Sequence, residues 1–115
     1  MSQTYTIEIK NDFRAHETGN AFVEIISNDV SGRVGGLVSS KANWLAYHIY
    51  YSKLLFLIDM KMLQSKIPMW KNTYKQAKAL NPTYATIGLI IPLQKMEAIA
   101  YGVYDLQEAW KEIKQ

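Results

Sequence analysis

The sequence predicts a mixed α/β domain, a central sheet of about five strands that starts with an N-terminal β-hairpin and is flanked by helices. Three observations lead there. Apolar and polar residues alternate around Ile7 and Ile9, further short runs rich in Ile, Val, Phe and Tyr lie between turn formers, and helical spacing takes over after residue 60. The chain has 115 residues, 49% of them apolar, and a chain of that size buries roughly two thirds of its unfolded surface without a staple. One domain over residues 1–115 is therefore expected. With no cysteine, disulfide scaffolds, zinc ribbons, iron–sulfur sites and thiol catalysis are excluded.

The elements follow in order. Residues 4–10 read as a half-buried strand, with Ile7 and Ile9 on its core face and Thr6, Glu8 and Lys10 on its charged face. A polar stretch containing Asn11, Asp12, Gly19 and Asn20 leads to a second strand over 21–26, and the two strands are expected to pair as a hairpin with a long loop. Residues 31–36 hold three of the six glycines and read as a loop, after which Ser39 or Ser40 caps a short helix over 41–45. Two aromatic-rich runs, 46–51 and 54–59, flank Ser52-Lys53 and predict a tight hairpin. A helix over 60–67 is expected to stop at Pro68, and a second over 70–80 to place Lys71, Lys75 and Lys78 along one face. A fifth strand over 86–91 and helices over 93–101 and 106–115 complete the reading. No repeat, low-complexity segment or linker interrupts it.

Thirteen Lys and Arg against ten Asp and Glu give a net charge of +3 and a pI near 9.1, a lean toward acidic partners such as nucleic acid. The first residues have neither the basic nor the apolar part of a signal peptide, and the longest apolar runs, such as 54–58, fall far short of the roughly twenty residues a membrane helix needs. A soluble, cytoplasmic protein is expected. The two histidines, His16 and His48, stand apart in a polar loop and an apolar strand, and no phosphate-binding glycine loop or nucleophile elbow occurs. Any chemistry is expected to be metal-assisted.

The informative triplet is Glu8-Ile9-Lys10, because a strand sets the Glu and Lys side chains on one face about 7 Å apart, with Asp12 next in line. A carboxylate there binds Mg²⁺ or Mn²⁺ through oxygen and the lysine orients or activates water. The same triplet recurs at Glu112-Ile113-Lys114, so alone it also describes a solvated Glu–Lys pair. Its context is richer: Glu8-Ile9-Lys10-Asn11-Asp12, then 17–24 (Glu-Thr-Gly-Asn-Ala-Phe-Val-Glu), a glycine-containing loop, and Ser39-Ser40-Lys41-Ala42-Asn43-Trp44. This series, continued by the Gly88-to-Leu93 strand-to-helix junction, resembles the small phage and bacterial nucleases of the PD-(D/E)xK, or restriction-endonuclease-like, superfamily.

The resemblance implies a phage-type endonuclease that hydrolyses DNA with Mg²⁺ or Mn²⁺, in which Glu8, Lys10 and Glu24 are catalytic and Glu8, Asp12 and Glu24 hold the metal. The family's leading Asp has no counterpart among the seven residues before Glu8, and Asn43 replaces the Asp of its Lys-Ala-Asp pattern. The chain thus reads as a truncated or degenerate member. The alternative reading is a catalytically silent nuclease-like binder of nucleic acid or of a host defence protein. Arg33, Lys41, Lys71, Lys75 and Lys78 are the candidate phosphate contacts. A homodimer is expected, since so many aromatics on a small domain otherwise expose apolar patches.

Overall fold

A computed structural model describes residues 3–107. In chain order it contains β1 (Ile7–Asp12), α1 (Ala15–Thr18), β2 (Asn20–Asn28), β3 (Arg33–Val34), α2 (Gly36–Ser39), β4 (Trp44–Ile49), β5 (Leu54–Asp59), α3 (Met60–Thr73), β6 (Gln76–Leu80), β7 (Ala85–Pro92), α4 (Leu93–Ile99) and β8 (Gly102–Asp105). The mixed α/β class is as the sequence predicts. The arrangement differs: the strands form two four-stranded sheets, ordered β1-β4-β5-β8 and β3-β2-β7-β6. Both contribute to one core, in which Leu45, Tyr47 and Ile49 of β4 and Phe56 and Ile58 of β5 join Val23 and Ile25 of β2, Leu89 and Ile91 of β7, and Leu63, Ile67 and Trp70 of α3.

The expected N-terminal hairpin does not form. β1 pairs in parallel with β4, Ile7 opposite Trp44 through Asp12 opposite Ile49, while β2 pairs with β7 and β3 in the other sheet. The turn between them explains the separation. Asp12 Oδ1 accepts the N–H groups of Arg14 and Ala15, each at 2.9 Å, so the chain is captured into α1 as soon as β1 ends. Gly19 then closes α1 at φ 72°, a left-handed conformation that a glycine adopts without a steric cost.

The polarity of β1 is also reversed. Ile7 and Ile9 are 56% and 66% exposed, whereas Glu8, Lys10 and Asp12 are half-buried. The parallel register decides this, because it lays Glu8, Lys10 and Asp12 beside Leu45, Tyr47 and Ile49, the inward face of β4.

Helix boundaries shift for identifiable reasons. Residues 41–45 are not helical: the N–H groups of Asn43 and Trp44 bond to the Thr6 carbonyl and Asn43 Oδ1 accepts the Thr6 N–H, drawing the segment out alongside the start of β1. The short helix lies earlier, over Gly36–Ser39, starting at the last residue of the 31–36 stretch that reads as loop. α3 runs through Pro68 to Thr73, since Leu63, Ile67 and Trp70 bury one continuous face across it. Residues 76–80 form β6 rather than a helix, because β7 offers an otherwise open edge, and Ile90 N–H donates to the Lys75 carbonyl as β6 begins.

The β4–β5 hairpin and the β7 strand form as expected, but β4 lies two residues earlier than 46–51 and Ile49 pairs with Leu54 across a four-residue connection, 50–53, rather than a tight turn at Ser52-Lys53. α4 stops at Ile99, after which β8 adds to β5. The helix expected over 106–115 lies almost wholly outside the described residues, as does Glu112-Ile113-Lys114. Among the described residues no helix is long and apolar enough to cross a membrane.

Candidate functional site

β1 carries the acid–lysine pattern on its inward face, and β2 brings Glu24 to meet it. Lys10 Nζ lies 3.8 Å from Glu24 Oε2, an ion pair that joins the two sheets. Glu24 is held by its neighbours: it pairs opposite Gly88 of β7, the ladder bulges immediately after it, and Gly35 packs so tightly on its main chain that a Cβ at residue 35 would overlap the Glu24 carbonyl. Glu8, two residues from Lys10 on the same face, has a buried Oε2 with no hydrogen-bond partner among the described residues. Burying a carboxylate oxygen unpaired carries a penalty, so this atom is the least satisfied polar group at the site.

Asp12 is engaged differently. Beyond its two backbone bonds at the start of α1, its Oδ2 accepts the Tyr47 hydroxyl, which in turn accepts the Phe22 N–H at 3.1 Å. Tyr47 thus ties β4 to β1 and to β2. Burial, reinforced by the hydrogen bond to Asp12 and by its negative charge, holds the Tyr47 phenol far above its ordinary value. Both Asp12 oxygens therefore have partners within the protein.

An open cleft of about 720 Å³ lies over Lys10, Asp12, Glu24 and Tyr47, and Glu8 is not among the residues that line it. Lys10, Arg14 and Lys78 supply its cationic side chains, Asp12 and Glu24 its acids, and Phe13, Phe22 and Tyr47 its aromatic rings. Of the phosphate contacts expected from sequence, Lys78 lines this cleft. Lys71 lies on α3, Lys75 on the connection to β6, Lys41 between α2 and β4, and Arg33 on β3, all exposed. The expected lysine row is divided because its residues belong to a helix, a connection and a strand. Arg14 was missed by sequence reasoning; the signal available was its place just after the acid-bearing strand, at the mouth of the turn that Asp12 caps.

No family model, curated protein or solved structure matches the chain. Among the described residues no group of three or more His, Asp or Glu side chains is placed to hold a metal ion. With Asp12 engaged by Tyr47 and two backbone N–H groups and Glu24 facing Lys10, the residues present do not make a ready Mg²⁺ or Mn²⁺ cage, which calls for several converging oxygens.

Proposed function

We propose that this chain is a nuclease-like binder of nucleic acid that receives a phosphodiester backbone in the cleft between its sheets. The observation that carries the reading is the convergence of Lys10, Arg14 and Lys78 on one open cleft. Cations gathered in a concave site of mixed polarity bind phosphates with counterion release, and Phe13 and Phe22 offer flat apolar surface beside them. The order of Glu8, Lys10, Asp12 and Glu24 along the chain supports kinship with PD-(D/E)xK nucleases.

A second reading, DNA hydrolysis with Mg²⁺ or Mn²⁺, is favoured by the unpartnered Glu8 oxygen beside Lys10. One set of measurements addresses both. Anisotropy of labelled linear and branched DNA, taken in EDTA across a salt series, is expected to show affinity that falls steeply with salt. Lys10→Ala and Lys78→Ala are each expected to weaken binding and to lower the logarithmic salt slope by about one, while Lys71→Ala leaves both nearly unchanged. Equal binding by all four proteins, or none by the native chain, would overturn the proposal. The same DNAs incubated with Mg²⁺ and with Mn²⁺ decide the second reading, for which nicking must vanish in both Lys10→Ala and Glu8→Gln.

A further inference from the structure

We infer that β1 is a self-complementary edge through which two copies of this chain join their sheets antiparallel about a two-fold axis at Ile9, so that each copy's Glu8 faces the partner's Lys10. The inference does not rest on the nucleic-acid reading. β1 is the terminal strand of its sheet, and the Trp44 and Tyr50 N–H groups donate to the carbonyls of Thr6 and Asp12. Even-numbered residues of β1 therefore direct their peptide groups at β4, and by alternation Ile7, Ile9 and Asn11 direct theirs at the open edge.

Three outward residues spaced by two are a complete half of an antiparallel ladder. Setting Ile9 against the partner's Ile9 pairs Ile7 with the partner's Asn11, and every outward N–H and C=O is satisfied. β1 has no proline, no bulge interrupts its pairing with β4, and its outer face presents Ile7 and Ile9; its edge is guarded only by the inward charges of Glu8, Lys10 and Asp12.

The inward side chains then select the register. With Ile9 on the axis, Glu8 lies opposite the partner's Lys10 in a non-hydrogen-bonded pair, the arrangement with the closest side chains. Moving the axis to residue 8 sets Glu8 against the partner's Glu8. Moving it to residue 10 sets Lys10 against the partner's Lys10 and Glu8 against the partner's Asp12. Both neighbouring registers place like charges directly opposite, which is unfavourable. The Ile9-centred register alone among the three offers a cation to Glu8, whose buried Oε2 has no hydrogen-bond partner among the described residues, and it joins Lys10 and Glu24 of both copies into one charged row.

The five residues 7–11 on each side make a small contact, below the size of a tight interface, so association is expected at roughly tens to hundreds of micromolar. Sedimentation equilibrium from about 1 µM to about 500 µM should show a monomer–dimer equilibrium in the native chain. E8K alone and K10E alone should each weaken it about tenfold or more, by setting like charges opposite. An equimolar mixture of E8K with K10E should restore dimer, because each then meets the opposite charge across the axis. Ile9→Pro removes an N–H that serves no bond in the monomer and should abolish the dimer with little change in thermal melting. A native chain monomeric throughout the range would overturn the inference, as would a dimer insensitive to Ile9→Pro or a mixture that associates no better than its components.

Discussion

Asp12 and Tyr47 show how a residue suited to chemistry is used for architecture. Asp12 accepts two backbone N–H groups and the Tyr47 hydroxyl, so Asp12→Ala removes the acceptor that holds the turn into α1 and leaves a buried hydroxyl short of its acceptor. A loss of about 2–4 kcal/mol is expected, measured by urea denaturation. Tyr47 makes the pH dependence testable. Its phenol is held above the ordinary tyrosine value of 10.0 in the folded chain, so below about pH 10 both states keep the proton and the stabilisation is complete. As pH rises further, the unfolded chain releases the proton while the native one retains it, and stability falls by up to about 1.4 kcal/mol per pH unit from this group. Urea midpoints from about pH 8 to about pH 11 should thus decline less steeply in Tyr47→Phe than in the native chain. Gly35 belongs to the same scale. A Cβ there meets the main chain of Glu24 and Ile25 rather than a movable side chain, so Gly35→Ala is expected to cost about 1–3 kcal/mol in a denaturant melt by shifting β2 where it positions Glu24.

At the scale of elements, α3 is governed by its cap and its buried face. Asp59 closes β5 and accepts the N–H groups of Lys61 and Met62, and Asp59→Ala should lower stability by about 1 kcal/mol. Pro68 sits in the interior of this helix and is exposed. It removes one helical hydrogen bond, yet the apolar face formed by Leu63, Ile67 and Trp70 continues on both sides of it. Pro68→Ala is accordingly expected to stabilise the chain by about 1–3 kcal/mol, seen as a higher urea midpoint. The expectation of a stop at Pro68 and a new helix at Trp70 followed local propensity correctly. It failed because tertiary burial outweighed one lost bond, and because the open edge of β7 recruited residues 76–80 into a ladder that lysine and alanine spacing does not reveal.

At the scale of the whole molecule, the candidate site exists only where the two sheets meet. Lys10 comes from one sheet and Glu24 from the other, and Lys78 reaches the same cleft from β6. Charge therefore acts through placement more than through the net +3. The four cations named from sequence that lie outside the cleft, Arg33, Lys41, Lys71 and Lys75, are expected to contribute less to DNA affinity than Arg14, which no spacing argument singled out. Arg14→Ala compared with Lys75→Ala in the same anisotropy series checks this, with the larger loss for Arg14→Ala.

What the amino-acid sequence determined by itself is local: the mixed α/β class, the β4–β5 hairpin around Ser52-Lys53, the strand through Gly88, the start of α3, and the acid–lysine triplet on one face of a strand. Each depends on periodicity or turn chemistry within about ten residues, where side chains alone decide the outcome. Tertiary structure decided which strands pair, and with that the meaning of the triplet. An alternating strand has two faces, and its own residues favour turning Ile7 and Ile9 inward. Parallel pairing with a strand 37 residues later turned Glu8 and Lys10 inward instead and left the isoleucines on an open edge. Pairing across that distance is set by how all the sheets and helices close over one core, information that no short stretch of the chain contains.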